Sequence, residues 1–89
     1  MQARRLTGTG AVVDKPTNLR GLTLKAGSDA ATVILHDNPS AGSGTVLAEL
    51  AAVANTTAVL MFPDDPLRAD AGIYATTTGT NEILIVYTV

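Results

Sequence analysis

Few residues in this chain could do chemistry, and their types and spacing argue against each reaction in turn. His36 is the single histidine, and one imidazole cannot build a histidine-rich metal site. An Asp-His-Ser relay would have to take its serine from Ser28, Ser40 or Ser43. All three stand in turn or loop contexts, where serine is expected for its backbone hydrogen bonding alone. His36 therefore reads as a strand-end histidine bonded to a neighbouring loop. Asp64, Asp65 and Asp70 form the densest acidic cluster. Calcium takes about six to eight oxygen ligands, and loop carboxylates are the right type. The EF-hand spacing is absent, however, and Pro63 and Pro66 bracket the pair as a rigid turn, so a solvated acidic turn is expected.

Glu49 and Glu82 are the remaining carboxylates of interest. They lie among apolar neighbours on strands, where they read as outward charges that discourage edge pairing. Paired carboxylates for glycoside cleavage would need a deep cleft, which a chain of 89 residues has little room to build. Gly8-Thr9-Gly10 lacks both the third glycine of a dinucleotide fingerprint and a following P-loop lysine. The expectation is a protein without catalytic residues, cofactor or metal.

Binding surfaces are the alternative. Arg4, Arg5 and Arg20 could touch a phosphate backbone, but no aromatic stacking residues accompany them. With six basic and eight acidic residues the net charge is -2, which gives no general attraction for nucleic acid or an anionic membrane. Neither is expected as a partner. The opening Met1-Gln2-Ala3-Arg4-Arg5-Leu6 has no apolar signal-peptide core. Apolar runs such as Ile83–Val86 fall far short of the roughly 20 residues that span a bilayer, so a soluble protein is expected.

The elements that must position these residues read as strands. There is no cysteine and no tryptophan, so residues 1–89 form one small, staple-free, aliphatic domain, with residues 1–5 read as an N-terminal arm. Such domains often gain stability by oligomerising. Leu6–Val13 reads as a strand broken by Gly8 and Gly10, and Leu19–Ala26 alternates with the period of a half-wet strand. Ala30–His36 is a further strand, followed by the polar, glycine-rich loop Asp37–Gly44, whose Asn38, Pro39, Ser40 and Gly42 are candidate exposed recognition residues. Thr45–Asn55 fits a helix by its Ala and Glu content, and a strand by its neighbours, with Val46, Ala48, Leu50 and Ala52 inward. The strand is favoured because every other segment is β.

Thr57–Phe62 is a strand, Leu67–Asp70 a short extended piece, and Ile73–Thr78 opens a closing hairpin. Gly79-Thr80-Asn81 supplies the positive φ angles of its turn. The last strand, Glu82–Val89, is apolar on both faces. Ile83, Ile85 and Tyr87 are expected on the domain's own core, which leaves Leu84 and Val86 as a candidate subunit interface or a contact with a second sheet. Seven or eight short strands, with turn signals every 8–12 residues or so, have the rhythm of an antiparallel sandwich or a small barrel, and the expected fold is an all-β, small antiparallel β-sandwich, jelly-roll-like.

Several landmarks together carry a family likeness: Gly21-Leu22 opening a strand, Val33-Ile34-Leu35-His36-Asp37-Asn38 entering the loop, Gly44-Thr45-Val46-Leu47, Gly72-Ile73-Tyr74-Ala75, and a last strand ending at Tyr87. Through them the chain resembles small tailed-bacteriophage virion structural proteins of the head decoration, cement, head-fibre and small tail types. The resemblance implies a β-sandwich that assembles in the host cytoplasm into the virion, on the capsid or tail, commonly as a trimer. It carries no catalytic residues. The function it implies is a capsid decoration or cement protein binding the major capsid protein or another virion protein, with Arg4 and Arg5 as candidate capsid contacts. The other function it leaves open is a tail or head fibre module binding a host receptor or carbohydrate.

Overall fold

The computed structural model describes residues 2–62 and 64–88. Among these described residues nine strands follow one another: β1 (Gln2–Leu6), β2 (Gly10–Val13), β3 (Thr17–Lys25), β4 (Ala31–His36), β5 (Val46–Ala52), β6 (Thr57–Met61), β7 (Leu67–Ala69), β8 (Ile73–Thr78) and β9 (Ile83–Thr88). They form two antiparallel sheets. The first has the order β1-β9-β3-β6, with β7 also pairing β3, and the second has the order β2-β8-β4-β5. Setting the short β7 aside, eight strands pass between the sheets in the interleaved order of a jelly roll. The expected β-sandwich is what the chain forms, but the expected closing hairpin is not. β8 pairs with β2 and β4 in one sheet and β9 with β1 and β3 in the other, so the turn between them crosses from sheet to sheet.

The strand count departs from seven or eight at the N-terminus. Residues 2–6 are not a free arm: they pair with β9 from Gln2 opposite Thr88 to Leu6 opposite Leu84. The glycines read as a break within one strand instead lie where the chain leaves the first sheet and enters the second. Thr45–Asn55 resolves as a strand, β5, closed by a turn in which Asn55 takes φ 62°. Tertiary pairing with β4 overrides the helical propensity of its alanines. The register slips opposite Leu35 and His36, so Leu47 is an extra residue and Val46 turns outward, 48% exposed, against the expected inward position.

The core lies between the sheets. Leu19, Leu22, Leu24, Leu84 and Val86 enter it from the first sheet, and Val33, Leu35, Ile73 and Ala75 from the second. Burying each large aliphatic side chain contributes about 1.5–3 kcal/mol. The inner face of β9 is therefore Leu84, Val86 and Thr88, all at most 2% exposed. Leu84 and Val86 are core residues and not a subunit interface. Ile83, Ile85 and Tyr87, expected inside, are the outward, half-buried set.

Candidate functional site

Alternation along β1 separates the two arginines that the sequence places side by side. Arg4 pairs with Val86 and turns toward the gap between β1 and β2, where its Nε is buried without a partner among the described residues. Its Nη2 donates to Gln2 Oε1 at 3.3 Å. Arg5 pairs with Ile85 and stands on the outer face of the first sheet. They do not form one basic spot, because neighbouring side chains of a strand leave opposite sides of the sheet.

The Asp37–Gly44 loop is more ordered by its own side chains than its composition suggests. Asn38 is half-buried, and its Oδ1 accepts the amides of Ser40 and Ala41, each at 2.9 Å. Its Nδ2 donates to Ser43 O at 3.3 Å. Pro39 is also half-buried, which leaves Ser40 and Gly42 as exposed members of the candidate set. The loop bends back over β8: a Cβ added at Gly42 would come 2.6 Å from Thr76 Oγ1 and 3.7 Å from Tyr74 Cε1. Both tyrosines, Tyr74 and Tyr87, are half-buried, so neither is a free platform for a sugar ring.

The titratable candidates disperse. His36 ends β4 with Nδ1 buried and unbonded among the described residues, in place of the loop hydrogen bond expected of it. Asp64 and Asp65 are exposed, and Asp70 forms an exposed ion pair with Arg68 Nε at 3.5 Å. Pro63 lies outside the described residues. No group of three or more His, Asp or Glu that could hold a metal occurs among the described residues. Glu49 is exposed as expected. Glu82 is not: it is 8% exposed and accepts a hydrogen bond from Thr77 Oγ1 at 3.0 Å, bridging the inner sides of the two sheets.

Two features were not singled out from sequence. Asp37 Oδ1 accepts the amides of Ala71 at 2.8 Å and Gly72 at 3.4 Å, and its Oδ2 accepts that of Asp70 at 3.1 Å. Three donors aimed at one carboxylate hold its proton affinity low, the bond from Ala71 first among the causes, with burial opposing. The signal would have been a turn-forming Asp directly after a strand, which is too common to select.

The second feature is the outer face of the first sheet. The registers align Arg5, Ile85, Thr23 and Val59 in one row and Ala3, Tyr87, Gly21 and Met61 in the next. Val59 is 59% and Met61 42% exposed. Gly21 has no room for a side chain, since a Cβ there would come 2.7 Å from Leu60 O and collide with Met61 Sδ, so Met61 lies across it and levels the surface. The result is a broad apolar face, with Arg5 on its edge strand and Lys25 at the end of β3. Such a face is suited to burial against another macromolecule rather than to chemistry.

No protein-family model matches the chain, and none of the curated proteins or solved structures compared with it does. The surface itself therefore has to carry the functional argument.

Proposed function

We propose that this chain is a non-enzymatic structural protein of a bacteriophage virion, a capsid decoration or cement protein that binds the major capsid protein and its own copies. The observation that carries this reading is the outer face of the first sheet, where Val59, Met61, Ile85 and Tyr87 form a contiguous apolar surface on a small domain. A small domain without disulfides gains most from covering such a surface. The likeness in sequence landmarks to phage head proteins supplies the setting. Jelly rolls serve in viral capsid and lectin domains alike, so the fold agrees with this role without deciding it.

The mechanism is linkage. A protein that binds the assembled lattice and not its dissociated subunits stabilises the lattice by mass action. Many symmetric copies convert modest contacts into avidity. The test is co-sedimentation of the purified protein with heads assembled from the major capsid protein of the same genome. Saturable binding at a fixed ratio, with a higher temperature of head disruption, is expected. Protein that stays in the supernatant at every concentration overturns the proposal.

A further inference from the structure

The two outer faces of the sandwich carry opposite charge. Among the described residues of the first sheet the outward strand positions include Arg5, Lys25 and Arg68 and no carboxylate. Arg68 is paired with the exposed Asp70 just past β7, while among the described residues no ion pair is formed by Arg5 or Lys25. On the second sheet the outward positions include Glu49 and neither lysine nor arginine. Beside Glu49 lies a depression of about 420 Å³, lined by Thr32, Val33, Ile34, Glu49, Leu50 and Ala51. One face is thus apolar with cations on its margin, and the other offers an apolar hollow with an anion on its margin.

We propose that copies of this chain stack head to tail. The outer face of the first sheet of one copy seats on the outer face of the second sheet of the next, with Val59 and Ile85 over the Ile34 hollow and Arg5 or Lys25 toward Glu49.

The dimensions suit this contact. The chain measures 34 × 27 × 18 Å, and the short dimension is that of two sheets about 10 Å apart with their outer side chains. Each broad face is then on the order of 900 Å², against about 800 Å² per partner in a standard interface. Pairing two first-sheet faces would bury Arg5 and Lys25 of both copies with no counter-charge, which is unfavourable. An anionic bilayer would accept the cations but leave the Glu49 hollow unused. Because the two faces lie on opposite sides of the slab, each added copy exposes the same pair of surfaces again, and the contact is heterologous and propagating.

This inference goes beyond the virion assignment and stands without it. The experiment is sedimentation velocity on the whole chain over a concentration series, with R5E/K25E, E49K and the triple variant R5E/K25E/E49K. All three positions are solvent-exposed and outside the core, and circular dichroism checks that each variant is folded. Wild type is expected to grow in mass with concentration. Each single-face variant should weaken association by about tenfold or more, and the triple variant, or an equimolar mixture of the two single-face variants, should restore it. Val59→Ser should weaken association without changing the fold.

Wild type that is monomeric at every concentration overturns the inference. So does a discrete trimer indifferent to the charge reversals, an outcome that leaves the capsid proposal to its own test. A triple variant no better than its parents also overturns it. Binding to phosphatidylserine vesicles that is lost in R5E/K25E and unchanged in E49K would make lipid the occupant instead.

Discussion

Asp37 and Ala71, 34 positions apart in the chain, are joined by a hydrogen bond of 2.8 Å from the Ala71 amide to Asp37 Oδ1. With the amides of Asp70 and Gly72 on the same carboxylate, this ties the end of β4 to the turn between β7 and β8. One side chain thereby holds together two loops at one end of the sandwich.

The first prediction concerns acid. The carboxyl of Asp37 is held below its ordinary 3.8 in the folded state, so the folded chain binds its proton less readily than the unfolded chain. Its contribution to stability is therefore present above that ordinary value and is lost as pH falls through it toward the lower folded value. Asp37→Asn should lower stability at neutral pH by roughly 1 kcal/mol, a modest effect because the loop is near solvent, and should flatten the acid limb. Urea midpoints measured from neutral pH down to about pH 3 check both.

Core packing at β9 gives the second. Leu84 and Val86 are fully buried, so Leu84→Ala should cost about 2–5 kcal/mol. Leu84→Lys should leave the isolated chain unfolded, by circular dichroism, before any question of assembly arises. A folded Leu84→Lys chain that only loses self-association would return this residue to the surface.

A third prediction tests the polar bridge between the sheets. Thr77→Val removes the donor to Glu82 and leaves a buried carboxylate short of a partner, at a cost of about 1–3 kcal/mol. Glu82→Gln keeps an acceptor and should be milder. A double-mutant cycle of the two positions by chemical denaturation should show coupling; strict additivity would mean that the bond contributes nothing.

Close backbone approach supplies the fourth. A Cβ at Gly72 would come 2.5 Å from Val13 O and 3.0 Å from Pro39 Cα. Gly72→Ala should therefore push apart the loops that Asp37 joins and destabilise the fold by about 1–3 kcal/mol. Gly8→Ala, where nothing lies within 4 Å, is the control and should be near neutral by thermal melting.

Local chemistry determined much of this fold. β-branched runs separated by Gly, Pro, Asn and Asp specify strands and turns without help from distant residues. The turn between β8 and β9 uses Gly79 and Asn81 at φ 132° and 56° as its residue types require, although it carries the chain from one sheet to the other and closes no hairpin. What needed the tertiary structure was the phase of strands without a clear apolar-polar alternation; in β3 the alternation itself placed Leu22 and Leu24 inward and Thr23 and Lys25 outward. With apolar residues on both sides of β9, alternation cannot say which set is inward. Seating β9 between β1 and β3, under the second sheet, put Leu84, Val86 and Thr88 in the core and left Ile85 and Tyr87 outside. The same holds for Gln2–Leu6, whose polar residues form a strand only because β9 offers a partner edge, and for Arg4 and Arg5, which that pairing sends to different sides. Residue types set the period of a strand, but which face turns inward depends on contacts between segments far apart in the chain.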